Sequence, residues 1–244
     1  MLATSGVGMG AAIAAGGAAT LLAYSVFYSG SQVFAPVIRR LCDHRAVALT
    51  FDDGPSPVFT PRVLEILAKH NAKGSFCLIG RNVLRHPALA ARIVAEGHTV
   101  VNHSWDHDHN GIWRSRAYWT DQLEWTSRVI VDTTGKKPAL FRAPMGFKTW
   151  PQSCAVKRAG LHYLAWRVRG WDTLNWAPET IVRIITSQLR GGDIVTLHDG
   201  LEPARRASSQ ERTVQALPRI IEAIQRRGWR CVTLEGNLPL AVYG

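Results

Sequence analysis

The chain has 244 residues, 46% of them hydrophobic, enough to bury one substantial core in one domain. Its formal charge is +11, from 29 basic and 18 acidic side chains, which favours anionic surfaces. No compact Lys/Arg tract or basic–aromatic ladder marks a nucleic-acid site, so no nucleic-acid partner is expected. Cys42, Cys77, Cys154 and Cys231 are too scattered for a zinc knuckle or a disulfide framework.

The first 38 residues carry no charged side chain and are rich in Gly and Ala. The stretch from Gly6 to Tyr28 is about long enough to cross a bilayer as a helix, with Tyr24 and Tyr28 as interface anchors. It lacks the basic start of a cleaved leader. The expectation is a single N-terminal membrane anchor over residues 1–38, followed by a catalytic domain over 39–244. Arg39, Arg40 and Arg45 follow the segment, but the side of the membrane is left open.

From residue 46 short β-rich runs alternate with helical patterns. "AVALTF" (46–51), "GSFCLI" (74–79), "TVVNHS" (99–104), "ALFRAP" (139–144), "LHYLAW" (161–166), "DIVTLH" (193–198) and "RCVTLE" (230–235) read as seven strands. The intervening runs around 61–70, 86–97, 121–134, 153–160, 178–190 and 213–228 read as helices, with Pro61 and Pro178 in first turns and Gly97, Gly160 and Gly228 as caps. Such alternation predicts an α/β fold, a distorted (β/α) barrel of about seven parallel strands; an open doubly wound sheet is the alternative.

A parallel barrel collects its chemistry at the C-terminal strand ends. There the sequence places Asp52 and Asp53, His103 and His107, Arg142, Asp172, and His198 with Asp199. Five strands of seven thus deliver ionisable groups to one rim. His103 and His107 are four apart, a spacing that lets two imidazoles converge, and a carboxylate from the first strand would complete a two-histidine, one-carboxylate metal site. His109 is a nearby competitor. Among nine tryptophans, Trp105 and Trp171 stand near the rim as candidate sugar platforms, against the plainer reading as packing residues.

"TFDDGP" (50–55), "HSWDH" (103–107), "RAPMG" (142–146), "WRVRGWD" (166–172) and "TLHDG" (196–200) occur in the order of five motifs of the polysaccharide deacetylase family, carbohydrate esterase family 4 with its NodB-like domain. The chain resembles that family over roughly residues 46–235. The resemblance implies hydrolysis of N-acetyl groups on amino sugars of a polysaccharide or lipid-linked glycan, with a divalent metal, commonly Zn2+, though Co2+, Mn2+ or Ni2+ suit the same donors. It implies Asp53, His103 and His107 as metal ligands, Asp52 as the base that deprotonates the attacking water, and Arg142 as the residue that holds the base. His198 becomes the acid for the departing amine and Asp172 its partner, with Met145 at the oxyanion and Trp171 and Leu197 in the substrate-binding set.

The sequence departs from the family pattern in places. "RAPMG" lacks a proline and an aromatic, Arg169 stands for an opening Asp, Thr173 for a closing Trp, and Asp108 and His109 follow the metal histidines. Trp171 or Trp176 would then stand in at the acetyl pocket. A second register of the fourth motif makes Asn175 the partner of the acid. Rival readings are a deformylase or other amide hydrolase on a lipid-linked sugar, a catalytically silent carbohydrate-binding relative, and a membrane-surface or anionic-polymer binding protein. Oligomeric state is left open.

Overall fold

The computed structural model describes residues 5–174, 176–200 and 208–238. Its centre is β2 (Ala46–Gly54), a nine-residue strand buried along its whole length. Side chains alternate across a strand, so β2 has two different faces. Val47, Leu49 and Phe51 point into the main hydrophobic core, where they meet helical residues such as Val63, Leu64, Ile185 and Leu217. Ala46 and Ala48 belong to a smaller inner core with Cys77, Val101, Leu140 and Ile194. Thr50 and Asp52 continue that inner column, which is therefore apolar at its start and polar at its C-terminal end.

Every strand pairing in the main sheet is parallel. β2 lies between β3 (Gly74–Leu78) and β8 (Ile194–His198), and β9 (Arg230–Cys231) pairs with its first residues. The sheet continues from β3 through β4 (Thr99–Asn102) and β5 (Leu140–Phe141) to β6 (His162–Leu164) and β1 (Val37–Ile38); on the other side β8 carries β7 (Val168–Arg169). Helices α2 (Thr60–Lys69), α3 (Gly80–Arg85), α4 (Pro87–Ala95), α5 (Arg116–Thr134), α6 (Trp150–Arg158), α7 (Pro178–Gln188) and α8 (Ser208–Gln225) connect the strands, so their apolar faces cover the curled sheet.

All seven expected strands have a counterpart, the fourth and seventh shortened to the two-residue β5 and β9. The fifth differs from its expectation: 161–166 is not one strand but the short β6, after which the chain crosses to β7 on the opposite edge. Ala165 N–H bonds Ile38 on one side (2.8 Å) and Arg167 N–H bonds Ile194 on the other (3.0 Å), so the crossing closes the curl. Gly97, Gly160 and Gly228, expected as caps, all have positive φ.

The N-terminal segment forms α1 (Ser5–Phe27), but the membrane anchor is not upheld. Among the described residues no helix is long and apolar enough to cross a membrane. The end of the helix is committed to the domain instead, since Ser25 is buried and Val26 O accepts from Lys148 N–H (3.1 Å). Tyr28, expected as an interface anchor, instead lies under the Arg39 guanidinium, 5.3 Å from ring centroid.

Candidate active site

The C-terminal ends of the strands gather part of the expected set around one cavity, while Asp53, Arg142 and Asp172 touch residues of its lining. Asp52, His103, His107, Met145, Trp166, Arg169 and His198 line it. Its backbone is held in uncommon conformations. Among the described residues six other than glycine have positive φ, and five of them, Asp53, Ser104, His107, Met145 and Trp171, lie on these rim loops. Such conformations cost on the order of 1–3 kcal/mol each and persist where surrounding contacts enforce them.

At Asp53, φ is 72° and the β2–β3 register slips between Asp52 and Gly54. This bulge breaks the alternation, so two consecutive aspartates both serve the interior. Asn82 Nδ2 donates to Asp53 O (2.9 Å), and the N–H groups of Asp199 and Gly200 both donate to Asp52 O (3.1 Å each). Gly200 is required by this approach, since a Cβ there would fall 1.9 Å from Asp53 O.

Asp53, His103 and His107 are buried, and one donor atom from each lies within 4.8 Å of the others. Each histidine Nε2 stands 3.4 Å from Asp53 Oδ1. His103 Nδ1 lies 2.8 Å from the carbonyl oxygen of Arg142. A carbonyl only accepts, so Nδ1 carries a proton and Nε2 is the ring atom turned to Asp53. Neither Asp53 oxygen accepts a hydrogen bond although both are buried. Burial opposes ionisation of Asp53, yet His107 and His103 outweigh it and hold the carboxyl well below its usual range. A buried anion with two unsatisfied oxygens, facing imidazole nitrogens, fits a divalent cation.

The neighbouring carboxylate has a different partner. Arg142 Nη1 donates to Asp52 Oδ1 and to Thr50 Oγ1, both at 2.7 Å. Arg142 is fully buried. Burial works against charge on Asp52, but this guanidinium, helped by His103 and His198, keeps the carboxyl below its ordinary range.

Opposite stands His198 at the end of β8. Its backbone N–H donates to Asp172 Oδ2 (2.7 Å) and its Nδ1 lies 3.0 Å from Asp172 Oδ1. Thr213 of α8 donates a further bond to Asp172 Oδ2 (2.8 Å). Burial disfavours the imidazolium, but Asp172 prevails and the pKa is raised to about 9. Asp199, next in sequence, accepts from Thr60 and is pushed up to about 7 by burial.

Of the remaining candidates, Met145 lines the cavity with φ 57°. Trp171 is 43% exposed, its ring 4.4 Å from the Arg169 guanidinium. Leu197 is fully buried in the main core, because it faces the helices while His198 faces the cavity. Trp105 packs against Trp125 at 6.1 Å. Asn175 lies outside the described residues. Sequence reasoning missed Thr50, Asn82, Gln122 and Thr213. Thr50 had a signal, being two residues before Asp52 and so on its face of the strand. Gln122, whose Oε1 accepts from Trp105 N–H (2.8 Å), and Thr213 come from helices distant in sequence and had none.

A curled parallel barrel with buried carboxylates, imidazoles and a guanidinium converging on its C-terminal rim defines a hydrolase centre of the carbohydrate esterase type. The chain belongs to the polysaccharide deacetylase family, whose model matches residues 42–164. It is 39% identical over 195 residues to a chitooligosaccharide deacetylase of Bradyrhizobium, covering 76% of this chain and 87% of the relative. It is 32% identical to a peptidoglycan-N-acetylglucosamine deacetylase of Bacillus cereus, covering 79% and 87%. The crystal structure of a peptidoglycan N-acetylglucosamine deacetylase superposes with a TM-score of 0.78 at 27% identity, over 86% of this chain and 96% of that one.

Proposed function

We propose that this chain removes N-acetyl groups from amino sugars of a glycan by metal-assisted hydrolysis, with residues 39–244 as the catalytic unit. What carries the reading is the buried Asp53 carboxylate, with no hydrogen bond to either oxygen, grouped with His103 and His107 beside a cavity that both histidines, Asp52 and His198 line. The names of the relatives point to N-acetylglucosamine in chitooligosaccharides or peptidoglycan as the substrate class.

In this reading Asp53, His103 and His107 hold the metal, and Zn2+ suits two imidazoles and one carboxylate, with Co2+, Mn2+ or Ni2+ as substitutes. When bound, the metal supplies Lewis-acid polarisation of the acetyl carbonyl and the attacking water. Asp52, ionised beside Arg142, takes the proton from that water at a carboxylate oxygen. The Met145 N–H donates to the developing oxyanion. His198 carries a proton on the nitrogen opposite Asp172 and delivers it to the departing amine, which is a poor leaving group unless protonated. Trp171 offers an aromatic face at the lip, and Leu197 serves by anchoring β8 in the core so that its neighbour faces the cavity.

Acetate release from acetylated chitooligosaccharides and peptidoglycan fragments, with and without chelator, tests this function. Release that stops with chelator and returns with Zn2+ is the expected result. Undiminished release in chelator would refute the metal's part, and no release from any N-acetylated glycan would refute the function.

A further inference from the structure

Lys148 is among the largest fully buried side chains, 2% exposed, and among the described residues no carboxylate pairs with it. Its Nζ instead donates to Ser29 O (2.5 Å) and Tyr28 O (3.4 Å), carbonyls just past the end of α1. A cation suits that place, because the C-terminal end of a helix carries partial negative charge; Tyr28 O also accepts from Ser31 N–H (2.9 Å). Burial together with the nearby Arg39 charge lowers the Lys148 pKa to about 8.

The contacts continue toward the cavity. Lys148 N–H donates to Val26 O (3.1 Å), and the Phe147 ring meets Phe27 edge-on at 5.1 Å. Gly146, at φ 77°, is pressed between two neighbours; a Cβ there would lie 2.7 Å from the Trp166 ring and 2.8 Å from Ser29 Cβ. Three consecutive residues thus touch the N-terminal segment directly after Met145, whose own φ is 57°. The segment also reaches the other wall, since Arg39 Nε donates to Trp166 O (3.4 Å). Gly146 and Trp166 both line the cavity.

We infer that residues 25–39 form a strap, latched by Lys148, that positions the Met145–Gly146 wall of the active site. This rests on the hydrolytic reading above. Lys148 is a positioning residue: it touches no reacting atom and acts by fixing the direction of the Met145 N–H, whose donation counts only when aimed at the developing oxyanion.

The test uses the full chain and two variants. Lys148→Met keeps an unbranched apolar stem and removes the ammonium; Phe27→Ala trims a ring that is 53% exposed and so leaves the core intact. In both, hydrogen exchange of amides 143–148 is expected to speed up. With Lys148→Met, kcat falls about tenfold or more while KM stays within about twofold and metal content stays full; Phe27→Ala moves kcat the same way by less. Unchanged exchange in Phe27→Ala overturns the strap even where Lys148→Met fails to fold. Faster exchange with unchanged kcat overturns the positioning role. Absence of turnover in the unaltered chain sinks the hydrolytic reading instead, and the exchange rates still decide whether the strap holds the wall.

Discussion

The two corners of the cavity are built on opposite principles. At the first, Asp53 has two buried oxygens without a hydrogen bond, held between two imidazoles. At the second, Asp172 accepts from the His198 backbone, the His198 ring and Thr213, leaving His198 tightly clamped. An under-satisfied buried anion is costly by itself and is complete only with an outside partner. A fully satisfied one stabilises the charge of its neighbour. The difference separates a corner that binds from a corner that tunes a proton, although both are an aspartate beside a histidine.

The strongest break of this contrast is at the binding corner. Chelation is expected to abolish acetate release, and Zn2+ at a hundred times its Kd to raise Tm by about 5–10 °C, from ~2.7 kcal/mol of linkage. Asp53→Asn should lose both responses in a calorimetric titration. Asp52→Asn comes next, with kcat reduced about 10²–10⁴-fold at normal metal content, read by turnover beside metal analysis. At the tuning corner, the His198 imidazolium persists up to about 9, so activity that needs it is lost above that pH. Asp172→Asn removes the charge that raises this pKa, and the alkaline limb of the kcat profile should move toward neutrality. Thr213→Val deletes one hydrogen bond to the same carboxylate, worth about 1 kcal/mol, and should move that limb in the same direction by less.

How much of this was legible in the sequence differs between the corners. The strands and the rim residues could be read because alternation on β2 and the strand-helix rhythm are local signals, and "FDDGP" and "HSWDH" each place their site residues within a short run. The bulge that turns Asp53 inward was not legible, since strict alternation would send consecutive aspartates to opposite faces. Nor was the crossing after β6 that carries the chain to β7 on the far edge, because closure is set by the curl of the whole sheet. Thr213 and Lys148 act across the fold on partners 41 and 119 residues away, a separation at which spacing carries no information. The N-terminal helix was legible as a helix, but not its end, which packs on the domain through contacts to residues some 120 positions away.

The smallest expected effect concerns a histidine outside the cavity, and it isolates what the Asp172 carboxylate does. His98 is buried, 6% exposed, like His198, but its Nδ1 accepts a bond from Gly74 N–H (3.1 Å), so the folded state holds the neutral ring. Burial, with the Lys73 charge beside it, lowers its pKa to about 4, opposite in direction to His198. The unfolded chain takes up this proton near the model-peptide value of about 6.5, the folded chain only near 4. More protons are therefore bound in the unfolded state between these values, and stability rises with pH across that window. The contribution is complete above about 6.5, declines as pH falls, and is gone below about 4. His98→Asn keeps a hydrogen-bond acceptor without a titrating ring, so its melting temperature should fall less than that of the unaltered chain between pH 7 and 4.5. Equal slopes in the two proteins would show that His98 takes up its proton alike in the folded and unfolded chain, and would overturn the depression of its pKa by burial.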